Sequence, residues 1–422
     1  MTSIKQLNNT NSFMKILLVN KFHYLKGGSE RVYFDTKELL EKNGHQVVCF
    51  SMKDERNVAS PQEKYFVPNV DFNSRWNWFG KAARYIYFPR AAKNLEKLII
   101  DEKPDLAHLH NISHQLTASI LKPLKKHGIP IVQTLHDYQL ICPNYRLFTK
   151  GRVCERCKKH KYYNCVFNKC VQNSFWPSVL AAMELKAQWL FGFYRQKVDL
   201  FISPSDFLKT KLRQWGVDQP IEVVNNFVDL EKFKPEFNPG DYIVCVSRLS
   251  NEKGIMTLLR AMRKISQIKL KLIGDGPQKK LIENFIARKQ IKNVEYLGAK
   301  YDQELFACIK NARFVVMPSE WYENYPMLAI EAMALGKPVL AANLGGLNEM
   351  IADGVNGWHF EAGNLKDLRA KISQHFNETD SLEQLGRNAR QAVEHKNCSS
   401  EYYQRLMRCY EGVLDKGGVK LG

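Results

Sequence analysis

The chain has no run of about 18 or more apolar residues, so nothing in it reads as a membrane-spanning helix. Its opening segment, MTSIKQLNNTNSF, lacks the apolar core of a signal peptide. It reads as a short polar lead-in, and a cytoplasmic protein is expected. No nucleic-acid-binding motif is present, so no nucleic-acid partner is expected. No D-x-D run marks a catalytic metal site either, and no cofactor is expected to be required for catalysis. Acidic residues are the scarcer charge, 43 against 62 basic, which leaves a net charge of +19. Such a field suits a polyanion or an anionic membrane surface, with general solubility as the plainer reading. An apolar fraction of 45% over 422 residues is enough for two domains with large cores.

Ten cysteines are present, and five fall between Cys142 and Cys170. Without a secretion signal a disulfide framework is not expected. Cys154, Cys157, Cys165 and Cys170 could give four thiolates to a structural zinc, with Cys142 as a fifth candidate. Redox-sensitive or simply buried thiols are the alternatives. Cys49, Cys245 and Cys308 sit in apolar strand or helix patterns and read as small core residues.

Strand and helix patterns alternate along the chain. KILLVN, QVVCFS, LAHLH, PIVQTLH, LFISPS and IEVVNNF are buried-strand candidates in the first half. YIVCVSRL, KLKLIGDG, VEYLG, RFVVMPS and PVLAA form a second series. The fold class expected is α/β, two doubly wound parallel sheets with ligand sites at the C-terminal strand ends. The division expected is an N-terminal domain over 14–235 that includes a Cys-rich insert at 142–170. A C-terminal domain over 236–398 and a final helix over 399–418 follow.

Glu323 and Glu331 are eight residues apart in SEWYENYPMLAIEAMALGKPVLAANLGGLNEMI. Glu323 lies in a loop leaving a strand. Glu331 falls in the second turn of a helix that Pro326 opens and Gly336 ends. The free N–H groups of that helix start suit a phosphate. The two carboxylates suit sugar hydroxyls on either side of it, as in a nucleotide sugar. A pair of surface charges on an amphipathic helix is the alternative. Arg248 and Lys253 follow the first strand of the second series, where cations can neutralise a diphosphate. Gly274 and Gly276 occupy the next strand-end loop and border the nucleotide base. Gly28 lies beyond the first strand, in a turn that Ser29 is expected to cap. His136 ends the fourth strand.

With its E-x7-E spacing, E-A-M-A-x-G-x-P-V run and G-G-x-x-E turn, this segment resembles the retaining glycosyltransferases of family 4. The resemblance implies a GT-B fold, two Rossmann-like domains facing across a cleft, with the final helix crossing back to the first domain. It implies that Arg248 and Lys253 hold the donor diphosphate and stabilise the leaving group. It implies that Glu323 and His136 contact the transferred sugar, that Glu331 binds the ribose, and that Gly28 contacts a donor phosphate. Pro326, Met327 and Leu328, at the helix opening, complete the nucleotide contacts. A Cys-rich insert recurs in some members, as an acceptor-side lobe. The chain departs from the family pattern at Asn324-Tyr325-Pro326, where Pro-Phe-Gly is common after the first Glu.

A retaining hexosyltransferase-like enzyme is thus expected, using a UDP- or GDP-sugar and a glycan or lipid-linked acceptor in surface polysaccharide assembly. The rivals are a nucleotide-sugar epimerase and a non-catalytic nucleotide-sugar binder. Two stretches, residues 75–98 and 185–197, mix aromatic and basic side chains. Either could lie on an anionic bilayer as a peripheral contact, or pack as ordinary helices with aromatics inward.

Overall fold

The computed structural model describes residues 13–69, 84–379 and 381–417. Two six-stranded sheets carry the fold. The first holds β1 (Lys15–Val19), β2 (Gln46–Phe50), β3 (Leu106–Leu109), β4 (Ile131–Thr134), β5 (Leu200–Ser203) and β6 (Ile221–Val223). Its order is β6-β5-β4-β3-β1-β2, and β1 pairs in parallel with both β2 and β3. The second holds β7 (Tyr242–Val246), β8 (Lys269–Ile273), β9 (Val294–Tyr296), β10 (Val315–Met317), β11 (Val339–Ala342) and β12 (Gly357–Phe360). Its order is β9-β8-β7-β10-β11-β12, parallel throughout. In both sheets the order reverses direction beside the first strand, the switch point at which open α/β sheets place ligands.

The strands are short apolar runs because helices cover the sheets. α1 (Gly28–Lys42) and α2 (Pro89–Glu102) follow strands of the first sheet. A hairpin and the helix α3 (Tyr163–Phe167) lie in the Cys-rich insert, and α4 (Phe175–Leu190) follows it. Further helices are α5 (Asp206–Gln214), α6 (Ile255–Met262), α7 (Lys279–Arg288), α8 (Asp302–Lys310) and α9 (Met327–Ala334). The chain closes with α10 (Leu365–Asn377), α11 (Leu382–Lys396) and α12 (Ser399–Gly417). Around the second sheet, Ile243, Cys245, Leu272, Val316 and Leu340 are fully buried with Leu258, Met262 and Leu368 from the covering helices. Cys49 and Cys245 are buried strand residues whose thiols are pushed up, to about 11 and about 12, by burial. Cys308, on α8, is only half-buried.

Contacts divide the chain into two compact units. One comprises 1–134, 191–201 and 406–422; the other comprises 135–190 and 202–405. The Cys-rich insert therefore groups with the second unit, where the sequence suggested the N-terminal domain. Arg146 meets Glu252 at 3.6 Å, and Glu155 meets Lys211 at 2.5 Å, all four within that unit. Two further expectations change. Ser29 does not cap α1, because the helix begins at Gly28 with Gly27 as its N-cap, and the Ser29 hydroxyl donates instead to Glu30. In the 185–197 stretch the helix ends at Leu190, and Trp189 and Leu190 are exposed where inward aromatics were one reading. Of the 75–98 stretch, residues 75–83 lie outside the described residues, and α2 packs Leu95, Leu98 and Ile99 inward in the ordinary way.

Within the first unit the C-terminal half of α12 is tied to β3. Tyr410 Oη and His108 Nδ1 are 2.7 Å apart, and His108 Nε2 is 2.7 Å from Thr134 Oγ1 on β4, all in a buried setting. A buried imidazole that loses one partner keeps its desolvation cost without the bond. Tyr410→Phe should therefore destabilise the protein by about 1–3 kcal/mol, read as a lower urea midpoint. A midpoint unchanged by that substitution would show that the bond does not hold α12.

Candidate active site

The site is built in the second unit on three strand-end loops: those after β7, β8 and β10. The loop after β10 carries Glu323, which is 4% exposed. Its Oε1 accepts from Lys253 Nζ at 2.6 Å and from Ser319 Oγ at 2.6 Å. Burial by itself raises a carboxyl pKa. Here the Lys253 charge and these hydrogen bonds outweigh it and hold Glu323 below the ordinary glutamate value, so it is ionised at neutral pH. Lys253 also lies over the Trp321 ring, 5.1 Å from its centre.

Lys253 ends a short 3-10 turn, Asn251–Lys253, before α6. That turn is fixed to the Glu323 loop by backbone: Glu320 N donates to Glu252 O at 2.9 Å. Arg248, on the same strand-end segment, is exposed. The Gly274–Gly276 loop packs on this segment. A Cβ at Gly274 would come within 1.8 Å of Ser247 O, and Leu249 N donates to Asp275 O at 2.9 Å. These glycines therefore seat the Arg248 segment, a role the sequence did not suggest.

The Gly345-Gly346 turn closely approaches the Glu323 loop. Gly345 has φ +71° and forms a parallel bridge with Glu323, and Gly346 N donates to Glu323 O at 2.7 Å. A Cβ at Gly346 would lie 1.6 Å from Asn324 O. Both positions need glycine to let two main chains touch.

Asn324, at the departure from the family pattern, was not singled out from sequence. Its Oδ1 accepts from Ser205 Oγ at 2.7 Å, and its Nδ2 donates to Leu135 O at 3.2 Å. Leu135 precedes half-buried His136, so Asn324 ties the Glu323 loop to the segment bearing that histidine. Tyr325 is buried too, with its carbonyl accepting from Asn226 Nδ2 at 2.9 Å and its hydroxyl 3.0 Å from Asn397 Nδ2. Glu349 of the G-G-x-x-E turn accepts from the Asp206 and Phe207 N–H groups at the start of α5. The forward signals for this network were Asn324, at the departure from the family pattern, and Glu349, in the G-G-x-x-E turn.

Glu331 lies on α9 as expected and is buried. Pro326 is the N-cap rather than the first helical residue, and Met327 opens the helix with Leu328 next. The second unit thus brings together Lys253, Glu323, Glu331, Pro326, Met327 and the loops bearing Arg248, Gly274 and Gly276. Gly28 belongs to the first unit, where it is the first residue of α1.

A carboxylate held charged beside a lysine, next to a helix start, can grip a polyhydroxylated anion. The family pattern described as "Glycosyl transferases group 1" matches residues 228–392, and that described as "Glycosyltransferase Family 4" matches 26–232. Together the two patterns cover most of the chain, so both of its halves are similar to glycosyltransferases. An uncharacterised glycosyltransferase of Methanocaldococcus jannaschii is 34% identical over 49% of this chain and 58% of its own length. An uncharacterised 42.6 kDa protein in the cps region of Klebsiella pneumoniae is 26% identical over 80% of this chain and 87% of its own. The fold is also that of Anabaena HepE, solved in complex with UDP and glucose. The TM-score is 0.67 at 20% identity, covering 94% of this chain and 100% of HepE.

The five cysteines of the insert, Cys142, Cys154, Cys157, Cys165 and Cys170, line one cavity and are all free thiols. Among the described residues no group of three or more His, Cys, Asp or Glu is arranged to hold a metal ion. Cys154, Cys157, Cys165 and Cys170, the expected zinc ligands, lie together at that cavity. The thiols also hydrogen-bond locally: the Cys142 thiol donates to Asn144 Oδ1 at 2.8 Å, and Cys170 Sγ is 3.5 Å from Thr149 Oγ1. The Cys165 thiol bonds to Cys170, which lowers the Cys170 pKa, while burial pushes Cys142 up to about 12. Cys170 should therefore hold more thiolate than its neighbours and react first. Alkylation followed by peptide mass spectrometry should label Cys170 at a lower pH than Cys142. Protection of all four thiols that a chelator releases would show a zinc set in place of this arrangement.

Proposed function

We propose that this chain is a glycosyltransferase that moves a sugar from a UDP- or GDP-sugar, with retention, onto a glycan or lipid-linked acceptor in surface polysaccharide assembly. The observation that carries the reading is the Lys253–Glu323 pair, a buried carboxylate against a half-buried lysine, at the opening of α9. A lysine there can share its charge with a bound diphosphate. A buried, ionised carboxylate beside it can accept hydrogen bonds from the hydroxyls of the sugar being transferred. UDP with glucose in HepE and the cps setting of the Klebsiella relative favour the donor and the pathway class.

In this reading the bond from the sugar C1 to the diphosphate oxygen breaks while the acceptor oxygen bonds to C1 on the same face. The acceptor proton passes to the departing phosphate oxygen. Negative charge grows on the diphosphate in the transition state, and Arg248 and Lys253 stabilise it there. Glu323 and His136 orient the transferred sugar. Glu331 takes the ribose hydroxyls, with Pro326, Met327 and Leu328 at the helix opening against the nucleotide. A carboxylate nucleophile is not required.

Incubation with a panel of nucleotide sugars should release nucleoside diphosphate from one of them and give a product with the donor's anomeric configuration. Arg248→Ala should cost about 2–4 kcal/mol of transition-state stabilisation in the same assay. Glu331→Gln should weaken calorimetric binding of the free nucleoside diphosphate, whereas Glu323→Gln should leave that affinity near normal and lower turnover. Equal weakening by both substitutions would refute the division of roles, and no release from any donor would refute the reading.

A further inference from the structure

Helix α4 is arranged against the usual rule for a water-facing helix. Its buried side carries Ser178, Ala181, Glu184, Leu185 and Gln188. These polar groups are accommodated inside: Ser178 Oγ donates to Ser174 O at 2.7 Å, and Gln188 Nε2 donates to Glu184 Oε1 at 3.0 Å. Its outer side carries Trp176, Leu180, Met183, Ala187 and Leu190, at spacings that place them in one stripe. Trp176 is 61% exposed and Leu190 59%, and Met183 between them is exposed as well. The neighbouring α3, which packs on α4, adds Tyr163 and Phe167, the latter 76% exposed. Large apolar side chains so concentrated on one surface mark an interaction site, since single scattered ones would need no explanation.

The charge around this surface selects the partner. From Arg152 to Leu190 there are seven cations: Arg152, Arg156, Lys158, Lys159, Lys161, Lys169 and Lys186. The same stretch has two carboxylates, and neither offsets them at the surface. Glu155 is paired with Lys211, and Glu184 is buried. An aromatic and aliphatic stripe flanked by lysines matches an anionic bilayer, with rings at headgroup depth and ammonium groups on lipid phosphates. No helix among the described residues is long and apolar enough to cross a membrane, so the contact would be interfacial.

We propose that α3, in the Cys-rich insert, and α4, which follows it, form a docking face for an anionic phospholipid bilayer. Trp176, Met183, Leu190 and Phe167 enter the interface, and Lys158, Lys159, Lys161, Lys169 and Lys186 contact the headgroups. The face is separate from the residues assigned to sugar transfer, and the inference does not rest on that activity.

Co-sedimentation with phosphatidylcholine vesicles, with and without phosphatidylglycerol, tests it. The full chain should bind the anionic vesicles and not the neutral ones. Added salt should weaken but not abolish binding, because the apolar contacts are unscreened. Replacing both Trp176 and Leu190 by Ser should weaken binding on the order of 100-fold, since two large apolar side chains no longer enter the interface. Both positions are exposed, so the melting temperature should not fall. Tyr301→Ser, at an exposed aromatic outside this face, should leave binding unchanged. Three results would overturn the proposal. One is no binding to anionic vesicles, and another is equal loss in the Tyr301 variant. The third is self-association of the wild-type chain that the Trp176/Leu190 variant abolishes, which would assign the face to a second copy.

Discussion

A buried ion pair organises the candidate active site. Glu323 is almost wholly enclosed, and a carboxylate so placed is tolerable only with a cation and hydrogen-bond donors against it. Lys253 and Ser319 supply them. Because the lysine follows β7 and the carboxylate follows β10, adjacent strands in one sheet, the pair also sets the spacing of the two loops. Backbone contacts reinforce that spacing. Glu320 N reaches Glu252 O on one side of Glu323, and Gly346 N reaches Glu323 O on the other. The carboxylate therefore has little freedom to follow a ligand. In the proposed reading, the sugar hydroxyls meet a fixed acceptor, as preorganised recognition requires.

The supporting contacts extend beyond the sheet. Asn324 joins the Glu323 loop to Ser205 and to the carbonyl just before His136. Tyr322, on the other side of Glu323, donates to Glu155 of the Cys-rich insert at 3.1 Å, and Arg146 of the insert approaches Glu252 beside Lys253. The insert thus touches the neighbours of both members of the ion pair. Its thiol-lined cavity lies behind those two contacts in the chain, so loosening the insert would be felt where the donor sugar is expected to bind.

Much of this was legible beforehand, for definite reasons. Parallel strands buried on both faces read as continuous apolar runs, so KILLV, YIVCV and VLAA could be placed to within a residue or two. The α9 boundaries follow from Pro326 and Gly336 flanking an apolar helix. The edge strand β12, Gly357–Phe360, was missed because GWHF offers four residues with a glycine and a histidine. Long-range contacts were not legible at all. No local pattern says that Asn324 will meet Leu135, or that a glycine pair will pack on the loop preceding it by twenty residues. The insert's grouping was not legible for the same reason, since a contact such as Arg146 with Glu252 joins residues far apart in the chain and leaves no local trace.

The claim that the Lys253–Glu323 pair organises the site is tested most directly by a double-substitution cycle on folding stability. Lys253→Met leaves an uncompensated buried carboxylate, and Glu323→Gln leaves a lysine without its partner, so each alone should destabilise the protein. Breaking a buried pair from one side costs about 3–5 kcal/mol, whereas removing both charges leaves neither stranded. The doubly substituted protein should therefore be more stable than the Lys253→Met variant while remaining inactive. Destabilisations that simply add would contradict the account, because the two side chains would then be independent.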